Sequence, residues 1–194
     1  ETISDGTLTV NGISVADKKT DINKLRRNIG MVFQHFYLYP HKTVLENITL
    51  APMKVLGQSE KEAKDTAKHY LEKVGILDKA ESYPSQLSGG MVKRASLPRA
   101  IIMDPKLLFF DEPSSGLDPS TSAEMDELII MLKTTMRMTI VVIAHDLESV
   151  FKIADHIAII SGGKILETGT PQQIAASTKP EIQNLLKRKP RDSV

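Results

Sequence analysis

The sequence predicts an α/β protein with a parallel sheet covered by helices on both faces. Three observations predict it. "KLLFFD" and "MTIVVIAH" are almost wholly apolar strands, the pattern expected when both sheet faces are covered. Helical spacing separates them, and strand–helix–strand order calls for crossover connections between parallel strands. Each strand also ends in polar residues, Asp111 and Glu112 on the first and His145 on the second. That is the carboxyl edge at which α/β sheets place their sites.

The remaining elements follow in order. "GTLTVNGISV" alternates around Asn11-Gly12, a hairpin signal. "IGMVF" reads as a short buried strand, with Gln34 directly after it and an aromatic loop, "HFYLYPH", beyond. Thr43 with Glu46, and Ser59 with Glu62, fit capping boxes that start two helices. Behind the second, Ala63, Ala67, Tyr70, Leu71 and Val74 recur at helical spacing, and Gly75 is a suitable stop. Another helix follows "LSGG", and another follows Pro119. Asp146 caps a further helix ending near Ala154. "HIAII" and "KILETG" flank "SGG" as a hairpin, and "EIQNLLKRKPRDSV" begins as a short helix. The expected division is a partial N-terminal core over residues 1–35, an inserted helical subdomain over 36–100, and an α/β core over 101–194.

Composition narrows the function classes. The 194 residues are 41% hydrophobic and 25% charged, enough for a core and typical of a folded domain. A net charge of +1 gives no electrostatic case for a nucleic-acid partner. With no cysteine, disulfides, Cys-ligated zinc and thiol catalysis are excluded, and a reducing compartment suits the chain. No apolar run reaches bilayer length.

Each candidate residue has a plain structural reading beside a chemical one. Ser88, Gly89 and Gly90 stand where a helix begins, and backbone N–H groups at a helix start form an anion seat. Asp111 is placed as a metal ligand would be and Glu112 as a base toward water, although acids at strand ends often only cap helices. His145 suits donation to a phosphate oxygen, but a strand-end histidine is commonly a surface residue. Asp118 in "SSGLDP" either caps the next helix or reaches across an interface. Gln34 alone carries little.

Together, Gln34, "LSGG", "LLFFDE", "GLD" and the strand ending in His145, in that order, resemble the nucleotide-binding domain of ATP-binding-cassette (ABC) transporters. The resemblance implies a P-loop NTPase-like body and an ATPase working as a homodimer or paired subunit. It implies a peripheral position on the cytoplasmic face of the inner membrane, with permease subunits contacted through residues 34–50. Gln34 then resembles the Q-loop glutamine near Mg²⁺, and Ser88, Gly89 and Gly90 the signature motif facing the γ-phosphate of the other subunit's ATP. Asp111 resembles the Walker B aspartate acting on Mg²⁺, Glu112 the general base, Asp118 the D-loop aspartate and His145 the switch histidine.

The sequence departs from the family pattern in several places. No G-x-x-x-x-G-K-[ST] phosphate loop occurs, and "GGK" at 162–164 continues into Ile165 within a hairpin. The expectation is a truncated chain whose loop precedes Glu1, with weak ATP binding on its own. Pro98 falls inside the signature helix, where an interior proline costs about 3 kcal/mol. Met91 stands where many members have glutamine. Residues 1–87 resemble ATPases of polar amino-acid importers, and residues 87–187 those of phospholipid-trafficking (Mla/Mce) systems. The expected cargo is a polar amino acid. The alternatives are a phospholipid cargo, a non-catalytic module without a phosphate loop, or an ABC-type DNA-repair ATPase. The last is disfavoured by the near-neutral charge and the lack of long heptad segments.

Overall fold

The computed structural model describes residues 3–136 and 138–187. They form two compact units. Among the described residues, the first comprises 3–113, 135–136 and 138–143, the second 114–134 and 144–187.

The first unit opens with a hairpin of β1 (Thr9–Val10) and β2 (Ile13–Ser14), paired antiparallel. Asn11 at φ 50° and Gly12 at φ 76° give the turn the left-handed backbone that Asn-Gly favours. A short helix, α1 (Ile22–Arg26), follows, capped by Asp21 accepting from the Lys24 N–H. β3 (Ile29–Val32) leads to α2 (Val44–Val55) and α3 (Glu60–Lys73), each started by its expected capping box. α3 buries Ala63, Ala67 and Leu71 along one stripe and stops at Gly75, φ 71°. Two 3₁₀ turns, Leu77–Lys79 and Pro84–Gln86, lead to α4 (Gly89–Ile101).

β4 (Leu107–Asp111) and β5 (Thr139–Ile143) complete a parallel sheet of order β3-β4-β5. Its register pairs Val32 with Phe110 and Asp111 with Ile143. Val32, Leu108 and Phe110 are buried, as are Val44 and Ile48 of α2 and Leu97 and Ile101 of α4. α4 packs against β3 and against α2. It runs through Pro98 to Ile101 without interruption. Burying Leu97 and Ile101, at about 1.5–3 kcal/mol each, offsets the hydrogen bond that the proline removes.

The expectation that every apolar strand is covered on both faces fails for two of the three. Met31 and Phe33, on and just past β3, are exposed. On β5, Val141 is 38% and Ile143 53% exposed. Among the described residues β5 is an outer strand of the sheet, paired along one edge with β4. β4, between two neighbours, has Leu108 and Phe110 at 0%.

The second unit contains α5 (Pro119–Thr135) up to its last residue, α6 (Leu147–Ile153), the antiparallel hairpin β6 (Ile157–Ser161) and β7 (Lys164–Gly169), α7 (Pro171–Ala175) and α8 (Pro180–Lys187). Ile157 and Ile159 of β6 share a core with Ile174 of α7 and Ile182 of α8. Gly162 and Gly163 form the hairpin turn, both at positive φ, so "GGK" is a strand connection. The sequence reading missed α1 and α7, although Thr170-Pro171 with Gln173 makes a full capping box. The end of the charged tail, 188–194, lies outside the described residues.

α5 and α6 are joined by a polar contact. Ser149 Oγ donates to Asp126 Oδ1 at 2.8 Å, and both residues are buried. Lys152 Nζ lies 2.9 Å from Glu127 and 3.9 Å from Asp126. Desolvation pushes the Asp126 carboxyl above its ordinary pKa, against the pull of Ser149 and Lys152. The folded state therefore holds this proton more tightly than the unfolded chain does. Ionisation costs stability above the raised pKa, and that cost vanishes below the ordinary carboxylate range.

Two outcomes follow. A Cβ at residue 30 lies 2.5 Å from the Ala100 carbonyl oxygen and 2.8 Å from Leu108 Cδ1. Gly30→Ala is expected to destabilise the fold by about 1–3 kcal/mol, measured as a lower urea midpoint at unchanged m-value. Asp126→Asn keeps an oxygen acceptor for Ser149 without the charge. It is expected to raise Tm at neutral pH, with the gain shrinking as pH falls to about 4. A gain that is the same across that range rules out an ionisation origin.

Candidate functional site

The carboxyl edge of the sheet gathers the first group of predicted residues. Gln34 lies two residues beyond β3, and Glu112 directly follows β4. Because those strands are parallel neighbours in register, the two side chains meet: Gln34 Nε2 donates to Glu112 Oε2 at 3.3 Å. Both residues are half-buried, as is Asp111. The Glu112 N–H extends the ladder by donating to the Ile143 carbonyl at 2.8 Å. At the same time Glu112 sits at φ 48°, a left-handed conformation that is costly for a residue with a side chain. A ladder bond on one side and the buried Pro113 on the other hold it there. Strain of this kind, about 1–3 kcal/mol, persists where the surroundings over-determine the backbone.

The loop after Gln34 is held in a similar way. Phe36 and Tyr37 have φ 58° and 37°. Arg99 Nη1, from α4, donates to the Tyr37 carbonyl at 2.8 Å and to that of Phe36 at 3.5 Å. Its guanidinium lies 5.2 Å from the Tyr39 ring centroid. Asn47, buried on α2, accepts from the Tyr39 N–H at 2.7 Å and donates to the carbonyls of Tyr39, Lys42 and Thr43. Sequence reasoning did not single out either residue. An asparagine at the fourth position after a Thr cap and an arginine late in a helix carry no pattern that distinguishes them.

Ser88 is the N-cap of α4, its hydroxyl accepting from the Met91 N–H at 3.3 Å. Gly89 and Gly90 form the first helical residues, so they lie inside the helix start and not before it. Ser88 and Gly89 are exposed, and a Cβ at Gly89 meets nothing within 4 Å. The tip is thus open, with the N–H groups of a helix start and its positive dipole end accessible.

The second unit carries the other two predicted residues. Asp118 caps α5: its carboxylate accepts from the Thr121 N–H at 3.1 Å and from Thr121 Oγ1 at 2.6 Å. These bonds, the hydroxyl first, hold its pKa below the ordinary value. His145 is exposed and stands just before Asp146, the N-cap of α6.

Among the described residues, no three His, Cys, Asp or Glu side chains cluster as a metal cage. Mg²⁺ commonly needs no such cage, taking one or two carboxylates and completing its shell with water and substrate phosphates. The Asp111 carboxylate and the Gln34 amide oxygen at adjacent strand ends are hard oxygen donors of that kind, and they fit. No helix among the described residues is long and apolar enough to cross a membrane.

A groove of about 810 Å³ opens in the first unit beside this edge. Its apolar wall includes Phe33, Phe36, Leu50 and Met103. Arg26, Arg27, Lys54 and Arg99 also line it, and no Asp or Glu does.

Comparison with known proteins bears on the whole of this arrangement. The sequence model of the ABC transporter family matches residues 1–115. The chain is 53% identical over 187 residues to the glutamine transport ATP-binding protein GlnQ of Bacillus subtilis, covering 95% of this chain and 76% of that protein. It is 43% identical over 167 residues to the glutamate/aspartate import ATP-binding protein GltL of Escherichia coli K12, covering 86% and 69%. Among solved structures, the ATP-binding cassette MJ0796, a dimer in a post-hydrolysis state bound to ADP and Pi, superimposes with a TM-score of 0.77 at 29% identity, covering 88% and 75%. CbiO1 of Clostridium perfringens, part of the transporter complex cbiONQ, gives 0.81 at 25% identity, covering 95% and 77%. The expected α/β, P-loop NTPase-like fold is borne out by these neighbours, and the chain belongs to the ABC transporter family.

Proposed function

We propose that the chain is the ATP-hydrolysing subunit of an importer of polar amino acids, with glutamine the leading cargo. The observation that carries this is the Gln34–Glu112 pair at the ends of adjacent parallel strands. It occurs in a chain whose 53% identity to a glutamine transport ATP-binding protein extends over both the first and second halves. A relative matching 95% of the chain favours one lineage over the amino-acid and phospholipid mixture that the separate halves suggest.

In this reading Glu112 takes the proton of the attacking water, its carboxylate aimed by the Gln34 amide. Ser88, Gly89 and Gly90 present N–H groups and a hydroxyl to the γ-phosphate of ATP held by a second copy. His145 donates to a phosphate oxygen, and Asp118 works at the dimer contact while it caps α5. Asp111 and Gln34 hold Mg²⁺, which when bound offsets phosphate charge. The dimeric cassette with ADP and Pi supports a paired arrangement. Residues 1–35, 36–100 and 101–194 act as partial core, helical subdomain and α/β core.

The groove beside Gln34 receives the permease subunits at the cytoplasmic face of the membrane. Contacts there extend past residues 34–50 to Arg26, Arg27 and Lys54. An apolar wall with a cationic, carboxylate-free lining suits an amphipathic segment carrying acidic side chains.

In the transporter assembled with its membrane subunits, Glu112→Gln is expected to lower kcat for ATP hydrolysis about 10²–10⁴-fold while ATP binding persists. Glutamine is expected to stimulate turnover and a phospholipid is not. Equal hydrolysis by the wild-type and E112Q proteins overturns the catalytic reading in favour of a non-catalytic module. Stimulation by phospholipid alone overturns the cargo.

A further inference from the structure

We propose that Lys93 is a positioning residue, whose buried ammonium ties the tip of α4 to the Gln34–Glu112 pair by holding the turns that follow both residues. The proposal rests on the reading of that pair given above, but its test needs no nucleotide.

Lys93 is only 7% exposed, unusual for a lysine. Its Nζ lies 5.0 Å from the Phe36 ring centroid and donates to the Pro113 carbonyl at 3.5 Å. Phe36 is two residues past Gln34, and Pro113 directly follows Glu112. One cation therefore reaches the chain just beyond each member of the pair. Those are also the strained places: Phe36 and Glu112 both have positive φ without being glycine. Left-handed turns in such residues persist only where the surroundings hold them. Lys93 is five residues past Ser88, about 7.5 Å along the helix axis. A movement of the Ser88 tip is thus carried to both turns through one rigid helix.

Burial pushes the Lys93 ammonium below its ordinary pKa, so keeping a charge here has a cost. An apolar side chain of similar length removes that cost. If Lys93 served only to fill space with its methylene stem, methionine would serve as well or better. Arg99 is the internal comparison. It bonds the Phe36 and Tyr37 carbonyls and stacks on Tyr39, all on the Gln34 side.

Amide hydrogen exchange of the full chain, read by NMR, separates these roles. The probes are the hydrogen-bonded N–H groups of Phe36, Tyr37 and Glu112. Lys93→Met is expected to lower protection about tenfold at both turns, with the far end of α3 unchanged. Lys93→Arg is expected to preserve both. Arg99→Gln is expected to loosen Phe36 and Tyr37 alone. Wild-type protection of Glu112 in K93M, or equal loosening in K93M and K93R, overturns the proposal. Should K93M not fold, Lys93→Gln, neutral and shorter, is read by the same criteria. Glutamine stimulation of turnover in the assembled transporter tests the cargo reading separately.

Discussion

Helix α4 approaches β3 so closely that the Ala100 carbonyl occupies space a side chain at residue 30 needs. Much of the described site depends on that constraint. The helix that begins at Ser88 is held against the sheet whose adjacent strands end near Gln34 and Glu112. Its later turns carry Lys93 and Arg99 to the loop after β3. A glycine in mid-strand ordinarily weakens a sheet. Here it admits a backbone, and the closeness that results lets short-range contacts join helix and strand ends.

Backbone strain is concentrated at the same edge. Phe36, Tyr37 and Glu112 all adopt left-handed conformations, and each is tied by a hydrogen bond of its own N–H. Arg99 and Asn47 add side-chain bonds around the first turn, and Lys93 reaches the carbonyl after the second. Around the loop the restraints come largely from polar side chains on helices, whereas the interior rests on close-packed Leu, Ile, Val and Phe. That division suits an edge whose geometry must be fixed while it stays open to solvent.

The groove adds a matching asymmetry of charge. The whole chain is nearly neutral at +1, yet the groove lining contains four cationic residues and no carboxylate. Total composition therefore hides a local field, because acids elsewhere in the chain cancel it. Exposed aromatics such as Tyr37 and Tyr39 stand on the same loop. The membership of the chain in a family of transport subunits gives that surface a natural use.

Local chemistry was legible in the sequence. The caps at Thr43, Ser59 and Asp146, the Asn11-Gly12 turn and the Gly75 stop all depend on contacts spanning a few residues, and residue type alone decides those. The order of Gln34, "LSGG", "DE" and His145 was likewise enough to identify the family. Tertiary structure decided the rest. It left Val141 and Ile143 exposed, because what covers the face of a strand is supplied by other segments and not by its own hydropathy. It brought Gln34 to Glu112 across 78 positions, and it buried Lys93 between two turns that the sequence keeps far apart. Such pairings arise only when distant segments pack, which is why no short window of residues could announce them.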